Sequence, residues 1–271
     1  MPATTPATAP QAALKAARKL RRRRARAASR RMLVEGPRAL AEALDHLDQV
    51  FLAEPASAES RRVAQRCAAA GIAVLTVTPD ALATLADADT PQGVVGVARR
   101  PPADLDATLA GATLLVVLDG VADPGNAGTV IRTADAAGAD GVVLTAGSVD
   151  PTNAKVLRAS AGSLFHLPVV DGVTVADVVA GCRAAGLRLV AADAAASRPY
   201  HDLSLTGPTA IVFGNEAHGL SDELTHEVDV AVAVPMKGAV RPGYRGHAES
   251  LNLATTTAVV LFEVVRQRDS A

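Results

Sequence analysis

The sequence predicts an α/β protein, a parallel sheet with a C-terminal helix preceded by a smaller α/β unit. Three observations predict it. From residue 113 onward, apolar runs of about five residues alternate with longer Ala-rich stretches, the pattern of βαβ units and a mostly parallel sheet. Of the 271 residues 49% are apolar, yet there are four Phe, two Tyr and no Trp; the core must be aliphatic, which suits helices packed on a sheet. Finally, Arg99-Arg100-Pro101-Pro102 interrupts the alternation, so a linker is expected there.

Taken in order, residues 1–10 are low in complexity and expected to be disordered. Residues 11–31 read as a basic helix, so 1–31 form a basic, partly disordered arm. A compact α/β unit is expected over 32–98. Pro37 opens a helix to about residue 47, since Pro suits a first helical turn. A strand follows at 49–53, then a helix at 58–70 stopped by Gly71. A strand at 72–77, a helix at 79–85 and a strand at 93–98 complete the unit. Residues 99–112 are the linker, and 113–271 the second domain. Its strands are expected at 113–118, 141–145, 166–170, 187–192, 209–213 and 229–234. Its helices are expected at 126–137, 152–159, 174–185, 221–226 and 251–267. Ligands of such sheets sit at the carboxyl ends of the strands, where the sequence places 119–126, 214–219 and 235–252.

The formal charge of −1 hides an asymmetry. Residues 15–31 carry ten Lys or Arg and no acid, and the other 17 basic residues face all 28 acidic ones, leaving the remainder near −11. A polyanion is therefore expected on the arm, through Lys19, Arg21, Arg22, Arg23, Arg24, Arg30 and Arg31, rather than over the whole surface. A solvated basic helix is the plainer alternative. Cys67 and Cys182 form no spaced pair, which excludes a Cys-based zinc site and a disulfide framework. No His/Asp/Glu spacing suggests a metal. No uninterrupted apolar stretch reaches 18 residues, so no membrane span is expected. The N-terminus lacks the apolar region of a secretory signal. An organelle transit peptide is a minor alternative; cytoplasm is the expected compartment.

Few residues carry chemistry. Asp123-Pro124-Gly125-Asn126 joins a strand to a helix that Asn126 is expected to cap. The glycine patterns of dinucleotide and triphosphate sites are absent. Arg132 lies among Val130, Ile131, Ala134 and Ala136; it reads either as a structural arginine, snorkelling or paired with Asp135 or Glu216, or as a functional one. Gly214 and Gly219 bracket Asn215-Glu216-Ala217-His218 and permit close backbone approach. The last helix follows Glu249-Ser250-Leu251-Asn252, with Ser250 a plausible cap.

Three segments in order resemble the motifs of the SpoU/TrmH family of RNA 2′-O-ribose methyltransferases, in the SPOUT superfamily. They are N-A-G-T-V-I-R-T-A at 126–134, F-G-N-E-A-H-G-L-S at 213–221, and V-P-M at 234–236 with E-S-L-N-L-A-T at 249–255. In addition, M-L-V-E-G-P-R-A-L at 32–40 and T-P-Q-G-V-V-G-V at 90–97 resemble the substrate-binding domain that many members carry.

The resemblance implies a SPOUT-like sheet whose C-terminal segment forms a trefoil knot, an exception to the rule that chains are unknotted. It implies S-adenosylmethionine as cofactor, held by Gly214, Val234, Met236 and Leu251. It implies a homodimer, with Arg132 acting at the subunit interface. Catalytic roles fall to Arg132, Asn126, Glu216, Ser250 and Asn252, with Glu216 positioning Arg132. The substrate implied is RNA, ribosomal RNA of the large subunit first; transfer RNA, and a non-catalytic role in ribosome assembly, are the alternatives. The interval 237–249, with Lys237, Arg241, Tyr244, Arg245 and His247, is longer than in many members. It reads as a tolerated insertion or as a lid that contacts RNA.

Overall fold

The computed structural model describes residues 7–236 and 248–270. The chain divides into two compact units. One takes the residues up to Pro101 together with Thr152–Phe165; the other takes Pro102–Pro151 and the residues from His166 onward.

In the first unit, β1 (Ala7–Thr8), α1 (Gln11–Lys19), α2 (Arg23–Ser29), β2 (Arg31–Glu35), α3 (Pro37–Glu42), β3 (Leu47–Ala53), α4 (Ala58–Ala69), β4 (Ala73–Val77), α5 (Pro79–Ala83) and β5 (Val94–Arg99) follow one another. The sheet order is β1-β4-β3-β5-β2. The β1–β4 and β4–β3 pairs are parallel, and β5 runs antiparallel to both its neighbours. Local sequence explains the helix starts. Ser57 caps α4 by accepting from the N–H of Ser60 at 3.1 Å, and Thr78 caps α5 with Pro79 in the first position, both arrangements favoured at helix N-termini.

β1 forms in a stretch expected to be disordered, and α3 ends at Glu42 rather than near residue 47. Three further features depart from expectation. Residues 11–31 form two helices rather than one, and they are not an appended arm. Leu14, Ala17 and Leu20 are buried with Phe51, Leu82, Val95 and Val97 in the unit's core. The break follows from Arg26, only 8% exposed. Its Nη1 donates to the carbonyls of Leu20 (3.1 Å) and Arg21 (3.0 Å), and its Nε to Thr152 Oγ1 (3.0 Å). A helix end leaves carbonyls without partners, and here a guanidinium takes them up. The second departure is the extra strand β2, whose apolar stretch is short and follows directly on a basic run. The third is α8 (Ala154–Ser160), capped by Asn153. It lies in sequence between two strands of the second unit, yet it belongs to the first and packs on β2.

The second unit opens with α6 (Leu105–Leu109), in the stretch expected to be linker; Asp104 caps it and Leu109 enters the core. Then come β6 (Leu114–Leu118), α7 (Pro124–Ala136), β7 (Gly141–Thr145), β8 (Val169–Val173), α9 (Val175–Ala184), β9 (Arg188–Ala192), β10 (Thr209–Phe213), α10 (Asp222–Thr225), β11 (Val230–Val232) and α11 (Leu253–Asp269). The six strands are all parallel, in the order β11-β9-β10-β6-β7-β8. Every residue of β6, β7 and β10 is buried, as expected when both faces of a parallel sheet are covered. β8 starts three residues later than expected, because Pro168 has no N–H to give the ladder. β11 is short for its expected span. Across the sheet, α7 and α11 pack against each other. No helix among the described residues is long and apolar enough to cross a membrane.

If α1 belongs to the core, Leu14→Ala, at a site 6% exposed, should cost about 2–5 kcal/mol of stability. Urea unfolding checks this; a loss below about 0.5 kcal/mol, the range of surface substitutions, would contradict it.

Candidate functional site

The carboxyl ends of β6, β10 and β11 converge with the start of α11. β6 runs into Asp119, which is 4% exposed. Its Oδ1 accepts from Thr145 Oγ1 at 3.0 Å and its Oδ2 from the N–H of Ser221 at 2.7 Å, so one buried carboxylate ties the ends of β6 and β7 to the loop after β10. α7 is capped by Asp123, with Pro124 next, and not by Asn126 as expected. The N–H of Asn126 donates to Asp123 Oδ1 at 2.8 Å. Because Asp123 does the capping, the Asn126 side chain is released for other partners. Its Nδ2 donates to Glu216 Oε1 at 3.0 Å, and its Oδ1 accepts from Asn252 Nδ2 at 2.9 Å. Asn252, not Ser250, caps α11: its Oδ1 accepts from the N–H groups of Ala254 (2.9 Å) and Thr255 (3.4 Å). One run of side chains thus joins three loops that lie far apart in sequence.

The loop after β10 is shaped by close backbone packing. A Cβ on Gly214 would run into the backbone of Gly219 and Leu220, so only glycine fits. The N–H of Asn215 donates to the Gly219 carbonyl at 2.7 Å and the Asn215 carbonyl accepts from Gly219 N–H at 2.9 Å. The Asn215 side chain donates to the Gly120 carbonyl at 2.7 Å. Glu216, at the loop's tip, accepts from the N–H groups of Ala122 and Asp123, both at 3.1 Å, as well as from Asn126. Partial burial pushes the Glu216 carboxyl up, but the bonds from Asn126 and these backbone groups outweigh it and hold the acid below the usual carboxylate range. Glu216 is therefore an ionised acceptor at neutral pH.

These loops enclose a cleft of about 490 Å³. Eight predicted residues line it: Asn126, Glu216, Ser250 and Asn252 at polar positions, with Gly214, Val234, Met236 and Leu251. Ser250 has no hydrogen-bond partner among the described residues. The ninth, Arg132, does not line the cleft. It is exposed on α7, with no partner among the described residues. Neither expected partner takes it, since Asp135 pairs with His166 Nδ1 at 2.8 Å and Glu216 is bound to the start of its helix. The sequence motifs did not single out Asp119, Asn215 and Asp193; the last two also line the cleft. Each is the first polar residue after a buried strand or close behind it, which was the available signal. Lys237, Arg241, Tyr244, Arg245 and His247 lie outside the described residues.

The basic residues of the first unit separate into two sets. Arg21 donates to the Thr84 carbonyl at 3.2 Å and Arg31 pairs with Asp48. Lys19, Arg22, Arg23, Arg24 and Arg30 are exposed and have no partner among the described residues. No group of three His, Cys, Asp or Glu among the described residues is placed to hold a metal.

Residues 113–262 match the SpoU rRNA Methylase family. The chain belongs to this family. Residues 11–96 also match the MRM3-like substrate binding domain. A relative named as a 23S rRNA guanosine 2′-O-methyltransferase of Bacillus subtilis is 34% identical over 194 residues, 72% of this chain and 73% of its own. Among solved structures, the SpoU methyltransferase AviRb from Streptomyces viridochromogenes superposes with a TM-score of 0.82 at 30% identity, covering 96% of this chain and 98% of its own. An rRNA methyltransferase from Sinorhizobium meliloti, solved with AdoMet bound, gives 0.81 at 33% identity over 97% of each chain. In this SpoU family member the three motifs thus meet in one cleft.

Glu216 makes the loop junction sensitive to acid. Its folded pKa lies below its unfolded one, so its stabilisation is present above the unfolded value and is lost as pH falls through the folded value. The melting advantage of the native protein over Glu216→Gln should be full above the ordinary carboxylate range and shrink as the pH falls below it. Thermal melting across that range checks this; a pH-independent difference would count against it.

Proposed function

We propose that this chain transfers a methyl group from S-adenosylmethionine to a ribose 2′-hydroxyl of RNA, with ribosomal RNA of the large subunit as substrate. The observation that carries this reading is the Glu216–Asn126–Asn252 run at the rim of a cleft with an apolar wall. Leu251 remains 37% exposed there, beside Val234 and Met236, and such an uncovered wall suits an adenine ring. The ionised Glu216 gives the rim a negative potential that suits a sulfonium. The large-subunit assignment is supported by the Bacillus relative and by a Streptomyces viridochromogenes relative named as a 23S rRNA uridine 2′-O-methyltransferase, 37% identical over 203 residues.

When bound, S-adenosylmethionine supplies a methyl group on a positively charged sulfur with a good leaving group. The protein's task is placement. Gly214, Val234, Met236 and Leu251 hold the cofactor. Asn126, Ser250 and Asn252 orient the ribose and its phosphate in line with the methyl, which can be worth several kcal/mol (on the order of 7–11 for ideal alignment). Arg132 offers a planar fork of N–H donors and no acceptor, so it serves as a cation and not as a base. It binds the adjacent phosphate and stabilises the negative charge growing on the 2′-oxygen as the hydroxyl proton passes to solvent. Glu216 acts on the start of α7 rather than on the Arg132 side chain.

Arg132 reaches a cleft by way of a second copy of the chain. It stands exposed on α7, and Phe262, 48% exposed, stands on α11, the helix packed against α7. A homodimer that covers both brings each arginine to its partner's cleft. The fold we infer includes the family's trefoil knot.

Arg132→Ala should reduce turnover by about 100-fold or more, the scale of losing one charge-stabilising donor, while calorimetry finds S-adenosylmethionine affinity unchanged. Near-normal turnover would remove Arg132 from the mechanism. Mapping 2′-O-methylation in total RNA with and without the protein should locate one large-subunit position; a transfer RNA position, or no S-adenosylmethionine binding at all, would overturn the substrate or the reaction.

A further inference from the structure

The two N-terminal motifs, 32–40 and 90–97, meet at one place in the first unit, and the reaction above gives them no task. β2 ends at Glu35, and the chain turns at Gly36, with φ +87, into Pro37. A Cβ on Gly36 would lie 2.5 Å from Gln92 Oε1, so glycine here lets the Gln92 side chain lie across the turn. Beside it is a cleft of about 340 Å³, lined among others by Arg38, Thr90, Gln92, Arg158 and Ala161. Ala161 sits at φ +51, a conformation uncommon outside glycine.

The charged groups differ in availability. Arg158 Nη1 is 2.6 Å from Asp87 Oδ2 and 4.0 Å from Glu35 Oε1. The Glu35 carboxylate also accepts from the N–H groups of Asp87 (2.6 Å) and Ala88 (3.2 Å). These three groups hold one another, and Glu35 and Arg158 line the cleft. Arg38 and the Gln92 amide are exposed and have no partner among the described residues. The cleft therefore offers an unpaired planar cation, an amide that both donates and accepts, and the Thr90 hydroxyl. A guanidinium suits a phosphate, and an amide suits the edge of a base. The volume is at the small end of ligand sites, enough for one nucleotide and too small for a duplex. Base edges in RNA become readable when the base is unstacked.

We propose that this cleft takes a single unstacked nucleotide of the RNA substrate, with Arg38 on its phosphate and Gln92 and Thr90 on its base edge. The first unit then selects RNA by a base as well as by charge. This rests on the RNA substrate proposed above.

The test uses the full-length protein and a protein-free transcript of bacterial large-subunit ribosomal RNA. Filter binding is measured over a salt series, and methyl incorporation gives KM and kcat. Gln92→Ala should raise Kd and the RNA KM about tenfold, within the range for one base contact, and leave the salt slope unchanged. Arg38→Gln should raise Kd and lower the salt slope by about one, the mark of one lost phosphate contact. Both should keep the native melting curve, kcat and S-adenosylmethionine affinity. Thr90→Val supplies a third variant of the same edge. Kd values within twofold of native in all three would overturn the proposal, as would equal losses of salt slope in Gln92→Ala and Arg38→Gln. If the native protein incorporates no methyl, the proposed reaction falls, and the Kd comparison still decides the cleft.

Discussion

The Asn126 side chain is the constraint on which the site depends. One amide has two ends of opposite character, and here both are used. Its NH₂ meets the Glu216 carboxylate and its oxygen meets the Asn252 amide. Neither partner is free to drift. Glu216 also holds the N–H groups at the start of α7, and Asn252 also caps α11. The loop after β6, the loop after β10 and the entry to α11 are thereby fixed to one another. The sheet makes this possible. With six parallel strands, all carboxyl ends fall on one edge, so segments some 90 and 126 residues apart in sequence become neighbours.

The same arrangement separates two tasks. The rim of the cleft is ionic and amide-lined, and its wall is apolar, which suits a cofactor that is cationic at one end and aromatic at the other. Arg132, six residues beyond Asn126 in the same helix, faces away from this rim. A helix turns about 100° per residue, so six residues leave the two side chains on different faces. One helix thus lines its own cleft with Asn126 and presents Arg132 away from it.

Much of this was legible in the sequence, and the failures have physical causes. β6, β7, β9 and β10 were readable because each holds a buried run of Leu, Val, Ile and Ala bounded by turn residues. The eight residues that line the cleft were found through the motifs that carry them; composition alone left Arg132 and Glu216 ambiguous. The cap assignments failed by two or three residues. Asp123 and Asn126 are both capping types, and Pro124 in the first helical position was the signal that favoured Asp123. Ser250 and Asn252 posed the same choice, with no proline to decide it. The break between α1 and α2 had no local signature, since Leu14, Ala17 and Leu20 keep a helical spacing right up to it. It depends on Arg26 reaching back to two carbonyls. That α8 belongs to the first unit is a matter of long-range packing, which no local pattern encodes.

Glu216, Asn126 and Asn252 act as one unit in shaping the cleft. A double-mutant cycle on S-adenosylmethionine affinity, with Glu216→Ala, Asn252→Ala and the pair together, tests it most directly by titration calorimetry. Glu216 and Asn252 do not bond each other, so coupling between them must pass through Asn126. The account predicts non-additivity, with the double variant losing little more affinity than the worse single one and a coupling of about 0.5–3 kcal/mol. Losses that add within about 0.3 kcal/mol, as for independent sites, would contradict it.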